Sequence, residues 1–163
     1  MLVADIESST QLQRELSPEE LPLVTGRWFD TCKRILDASG GAIDKYLGDG
    51  FFAYWPAETH RAGDVARAIE GLKKMQAAAQ LAFRVVLHHG RVCMGGLPTM
   101  GGARLFGPEV NFTFRMERLA STLGTSCLLS AAAQVRLPQT LIVASLGRHA
   151  LPGFDGEFAF FKL

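Results

Sequence analysis

Asp5 and Asp49 are the carboxylates whose surroundings set them apart. Asp5 lies at the end of the apolar run Leu2–Ile6, and Asp49 stands between two glycines in Leu47-Gly48-Asp49-Gly50-Phe51. Two carboxylates brought to one turn make a hard-oxygen site suited to Mg²⁺ or Mn²⁺, with phosphate oxygens as further ligands. Read singly, each has a plainer use: Asp5 caps the helix that follows, and Asp49 is the turn residue of an Asp-Gly hairpin. The turn Ile6-Glu7-Ser8-Ser9-Thr10 has small hydroxyl side chains and leads into a helix, so its backbone N–H groups suit a phosphate. It lacks the glycine spacing of a P-loop, and N-capping by Ser8, Ser9 or Thr10 uses the same residues. Asn111 and Arg115 are four apart in a segment of helical period, with Arg118 three further on, and so project from one face. A carboxamide beside a guanidinium suits a ribose and a phosphate, and a solvated helix face is the alternative.

The elements that must position these groups follow from periodicity. Leu2–Ile6 reads as a central strand. Ser17-Pro18-Glu19-Glu20 starts a long helix with a capping box, and Leu21, Val24, Trp28, Cys32 and Ile35 form its apolar stripe until Gly40-Gly41. Ala42–Leu47 and Phe51–Trp55 flank the Gly48-Asp49-Gly50 turn as a hairpin. Ala62, Val65, Ala66, Ile69, Leu72, Met75 and Ala79 mark a second long helix. Phe83–His89 reads as a strand, with Val92–Gly96 as its hairpin partner and Gly101-Gly102 as loop. Glu109–Leu123 is a third helix. Strands at Leu128-Leu129, Leu141–Ser145 and Phe158–Leu163, around a short helix at Ala131–Val135, complete the pattern. This order predicts a single α+β domain over 1–163, a ferredoxin-like split βαβ sandwich with helices packed on a mostly antiparallel sheet.

Composition excludes several classes. Hydrophobic residues make up 48% and charged residues 20% of 163, a globular composition. Seventeen Lys+Arg against 16 Asp+Glu leave +1, so no global field draws nucleic acid or anionic lipid. Apolar stretches break well before the ~20 residues of a membrane span, which predicts no direct membrane insertion. Cys32, Cys93 and Cys127 are odd in number and scattered, consistent with a reducing, cytoplasmic setting in which each thiol packs as a small core residue. Adjacent His88 and His89 in a strand point to opposite faces, so they read as structural rather than as a metal pair, and Trp28 and Trp55 read as core or interface aromatics. Met1-Leu2-Val3-Ala4 enters a strand with no polar run-in, so a module cut from a longer regulated protein, tethered elsewhere, is expected.

Three segments then fall in register. Ala4-Asp5-Ile6 to Thr10, Lys45-Tyr46-Leu47-Gly48-Asp49-Gly50, and Phe106-Gly107-Pro108-Glu109-Val110-Asn111-Phe112-Thr113-Phe114-Arg115-Met116-Glu117 occur in the order and spacing of a known family. The sequence resembles the class III nucleotidyl cyclase catalytic domain over nearly its whole length, ending with Leu151-Pro152-Gly153-Phe154. The resemblance implies that Asp5 and Asp49, with the backbone carbonyl of Ile6, hold two divalent cations, Mg²⁺ or Mn²⁺. It puts Lys45 at the purine, Asn111 at the ribose and Arg115 at the charge of the transition state. It implies a nucleoside triphosphate substrate and a head-to-tail homodimer whose sites take metal residues from one chain and Asn/Arg from the other. Adenylate cyclase is the expected activity. Guanylate cyclase and a non-catalytic nucleotide-sensing dimerisation module are the alternatives, and a diguanylate cyclase would carry an acidic residue where Gly50 stands.

Two positions depart from the family pattern. Arg104, three residues before Gly107, replaces an Asp or Thr that accepts from adenine, and a guanidinium only donates. Phe154 replaces a triphosphate-binding lysine, which leaves a basic group such as Arg148 to reach the phosphates.

Overall fold

The computed structural model describes residues 1–78, 81–96 and 104–163; Ala79 and Gly101-Gly102 lie outside them. The chain order is β1 (Leu2–Ile6), α1 (Ser9–Glu15), α2 (Glu20–Ala38), β2 (Ala42–Tyr46), β3 (Gly50–Tyr54), α3 (Ala62–Ala77), β4 (Phe83–Leu87), β5 (Cys93–Gly95), β6 (Arg104–Phe106), α4 (Pro108–Thr122), β7 (Cys127–Ser130), α5 (Ala131–Gln134), β8 (Ala144–Ala150) and β9 (Glu157–Lys162).

Seven strands form one sheet in the order β2-β3-β1-β4-β7-β9-β8, antiparallel throughout except for the parallel β4–β7 pair. This is the α+β sandwich that the pattern predicts. Alternation along the strands sorts the core into two layers. Leu2, Ala4, Ile6, Phe51, Phe83 and Val85 pack under α2 and α3 with Trp28, Cys32, Leu36, Ile69 and Leu72. Val3, Phe52, Val86, Leu128 and Phe160 face α4 with Val110, Phe112, Met116 and Ala120. The apolar stripes of the three long helices are therefore what seats them on the sheet.

The start of α2 is held by the expected reciprocal cap: the Ser17 amide donates to the Glu20 carboxylate at 3.0 Å, and the Glu20 amide donates to Ser17 Oγ at 3.2 Å. Four expectations need correction. The turn after Ile6 opens a separate seven-residue helix, α1, whose N-cap Ser8 makes no side-chain cap bond. Cys93–Gly95 does not return along β4; it pairs with Arg104–Phe106 in its own two-stranded ribbon. The eighth strand runs Ala144–Ala150 rather than Leu141–Ser145, because Pro138-Gln139-Thr140 and the following residues are spent on a turn. Cys93 is exposed, whereas Cys32 and Cys127 are buried as expected.

Candidate active site

The hairpin turn is docked on the end of β1. Gly48 adopts φ +78, Leu47 N–H donates to Gly50 O at 2.8 Å, and Ile6 N–H donates to Asp49 O at 3.0 Å. Gly50 lies opposite Asp5 in the ladder, and a Cβ there would stand 2.5 Å from both Asp5 Oδ1 and Ala4 O. Only glycine lets the Asp5 side chain lie against the turn. Asp5 is thereby brought close enough to Asp49 for the two carboxylates to act on one another. Burial, then the charges of Asp49 and Glu117, push the Asp5 carboxyl up to about 7, while Arg84 acts in the opposite direction.

Sequence reading missed Arg84, Glu7 and Glu117. Arg84 is the register partner of Asp5 on β4, and its guanidinium bonds Glu7 at 2.9 Å. Glu117 projects from α4 toward the same carboxylates, and burial raises its pKa. Arg84 had a signal: it is the lone charge in the strand Phe83–Leu87. Glu117 had none, since its approach depends on how α4 lies across the sheet.

Among the described residues no three His, Cys, Asp or Glu side chains form a ready metal cage. The donor set is an open one of two carboxylates at a turn, which fits Mg²⁺ or Mn²⁺ completed by water and phosphate oxygens. Ile6 joins it as a backbone neighbour of Asp5. Ser8, exposed and in the left-handed region at φ 54, Ser9 and Thr10 follow at the start of α1. A cavity of about 350 Å³ takes Ile6, Ser9, Leu12, Gly48 and Asp49 in its wall.

A second group gathers elsewhere. Lys45, Arg104, Asn111, Val110 and Phe114 line a cavity of about 650 Å³. The Lys45 ammonium sits over two rings, 5.6 Å from the centre of Phe52 and 5.4 Å from that of Phe114. The Arg104 guanidinium donates to the backbone carbonyl of Asp44. Arg115 lies one turn beyond Asn111 on α4, half-buried, and lines neither cavity. The two cavities share no lining residue, and Asp5 lines neither.

The two departures are also accounted for. Phe154 packs edge-on against Phe112 at 5.1 Å, inside the α4 layer. Arg148 donates to Glu157 O at 2.6 Å on the β8–β9 hairpin. His88 and His89 do border one cavity, of about 250 Å³ at the opposite end of the sheet, because β4 ends at Leu87 and alternation stops there. His88 is nonetheless structural: it bonds Ser130 and Glu109 and stacks on Phe112.

Among the described residues no helix is long and apolar enough to cross a membrane. The chain is 27% identical to "Adenylate cyclase 1" of Rhizobium meliloti (strain 1021), covering 80% of this chain and 22% of that protein. It is 26% identical to "Adenylate cyclase 2" of the same organism, over 99% of this chain and 48% of that protein. It thus spans less than half the length of these curated relatives. In structure it is similar to the adenylyl cyclase CyaB from P. aeruginosa, with TM-score 0.81 at 22% identity over 99% of this chain and 90% of that one. It is equally similar to the guanylyl cyclase Cya2, with TM-score 0.82 at 21% identity over 99% and 88%. The profile described as "Adenylate and Guanylate cyclase catalytic domain" matches residues 1–161. The chain belongs to the adenylate and guanylate cyclase catalytic domain family, enzymes that form cyclic nucleotides.

Proposed function

We propose that this chain is the catalytic domain of a longer, regulated adenylate cyclase, which converts ATP to 3′,5′-cyclic AMP and pyrophosphate at sites shared between two copies. One observation carries the reading: Asp49, whose turn is docked on β1 beside Asp5, lines one cavity with Ile6 and Ser9, and Lys45, Arg104 and Asn111 line another with no residue in common. Head-to-tail pairing of two chains brings one set of each kind to a single nucleotide, twice per dimer.

In this reading the ribose 3′-hydroxyl attacks the α-phosphorus in line and pyrophosphate leaves. Asp5, Asp49 and the Ile6 carbonyl would hold two divalent cations, Mg²⁺ or Mn²⁺, whose chemistry there would be to lower the pKa of the hydroxyl and neutralise the triphosphate. Arg84, across the ladder from Asp5, keeps a cation beside the carboxylate pair. Asn111 orients the ribose, and Arg115 offsets the negative charge that grows on the transferring phosphoryl group. The protein's work is positioning and charge stabilisation. Ser8, Ser9 and Thr10 present hydroxyls and amides beside the phosphate path.

Lys45 donates to the purine. Arg104 spends part of its donor capacity on Asp44 O, which lessens its claim on guanine O6 and N7 and favours ATP. Retention of Asp5, Asp49, Asn111 and Arg115 together argues against a non-catalytic module. Incubation with ATP or GTP and Mn²⁺, with the product identified by mass, tests the assignment. Cyclic AMP is expected; cyclic GMP alone would make it a guanylate cyclase, and no product would leave a binding module.

A further inference from the structure

We propose that Asp44 is a positioning residue for purine selectivity, acting through a one-residue bulge; this rests on Lys45 and Arg104 meeting the base. In the β2–β3 ladder Ile43 lies opposite Ala53, but Lys45 lies opposite Phe52, so Asp44 is an extra residue with no partner. Ala53 belongs to the layer under α2 and α3, and Phe52 to the layer under α4. In an unbroken strand residues 43 and 45 share a face, and Lys45 would stand with Ile43 beneath α2. The bulge turns Lys45 over, onto Phe52 and Phe114 and into the cavity of Arg104 and Asn111.

Asp44 also fastens the other half of that cavity. Its carbonyl accepts from the Arg104 guanidinium, and its Oδ1 accepts from the Leu105 amide at 3.1 Å. These bonds tie β6, which pairs with the short β5 in a separate ribbon, to the edge of the large sheet. The remaining oxygen, Oδ2, is buried with no hydrogen-bond partner among the described residues. A buried carboxylate oxygen without a partner among the described residues costs stability, which the docking of β6 by Oδ1 offsets. Asp44 sets Lys45 by strand phase and Arg104 by docking β6, and the distance between the two donors is what a purine edge reads.

Asp44→Ala removes the acceptor for the Leu105 amide, and Asp44→Asn keeps one. The readout is the ratio of dissociation constants for ATP and GTP analogues with a methylene bridge between the α- and β-phosphorus. It is measured by calorimetry on the dimer with Mn²⁺, alongside the kcat/KM ratio for ATP and GTP and circular dichroism. In Asp44→Ala the ratio is expected to move about fivefold toward one, the worth of one positioned hydrogen bond, while Asp44→Asn stays within about twofold of wild type. If Asp44→Ala does not fold, Asp44→Ser, whose hydroxyl falls short of Leu105, carries the same expectation. Equal weakening for both bases, an Asn variant as deficient as Ala, or a wild-type ratio already at one would overturn the proposal. A wild-type chain that cyclises neither nucleotide defeats the proposed function, and the binding ratio still decides on Asp44.

Discussion

His88 Nε2 stands 2.5 Å from Glu109 Oε2, a contact that joins the end of β4 to the first turn of α4 two residues before Asn111. Ser130 Oγ accepts from Ala133 N–H at 3.2 Å and lies 2.8 Å from His88 Nδ1. The network assigns the tautomer: Ser130 donates its hydroxyl to Nδ1, and Nε2–H donates to Glu109. Gly90 completes the socket, since a Cβ there would meet Glu109 Oε2 at 2.4 Å and its Cγ at 2.6 Å. The helix that carries Asn111 and Arg115 is thus anchored by a buried histidine.

That histidine makes stability depend on pH. Burial lowers its pKa below the ordinary 6.5, outweighing the attraction of Glu109. Above 6.5 His88 is neutral whether folded or unfolded and contributes no pH dependence. As pH falls below 6.5 the unfolded chain takes up a proton that the fold resists, so stability drops. Urea unfolding at pH 7.5 and 5.5 should show this loss in wild type and less of it in His88→Gln. An identical pH slope in both would contradict the assignment.

Asp5 carries the opposite sign. Its folded pKa, about 7, lies above the ordinary 3.8, so its contribution in the metal-free chain is full below 3.8 and is lost as pH rises toward 7. Asp5→Asn should therefore raise the melting temperature of the metal-free protein at pH 8 while abolishing cyclase activity. Unchanged or lower stability with chelator present would show that the carboxylate pair is not strained.

Gly50→Ala tests the approach of the turn to β1. Its new Cβ meets Ala4 O and Asp5 Oδ1 at 2.5 Å, and one of those contacts is backbone. A loss of about 1–3 kcal/mol in denaturant unfolding is expected from overpacking. Activity should fall further than stability predicts, because Asp5 moves relative to Asp49. Wild-type turnover in a folded Gly50→Ala would place the carboxylate pair outside the reaction.

The sequence showed what repeats along the chain and hid what depends on pairing across it. β1, the Asp-Gly hairpin and the three long helices were legible because their apolar residues recur at periods of two or 3.6. The turn positions of Asp5 and Asp49 and the shared helix face of Asn111 and Arg115 came with them. Arg84 beside Asp5 follows from the β1–β4 register, and the phase of Lys45 from a single bulged residue. Neither leaves a periodic trace. β5 and β6 are three residues each, too short for alternation to announce their partner. Phe154 read as a missing lysine, but aromatic packing on Phe112 gives it a structural use.

If each site is built from two chains, two dead variants rescue one another when mixed. Asp5→Ala lacks a metal carboxylate, and Arg115→Ala lacks the phosphoryl clamp, a loss of about 10²–10³ in rate. In a mixed dimer one site has both defects and the other has neither. With random pairing and independent sites, the equimolar mixture should recover about a quarter of the wild-type rate, and that activity should fall on dilution. A mixture as inactive as its parents, with subunit exchange verified by mass, would mean that each chain carries its own complete site.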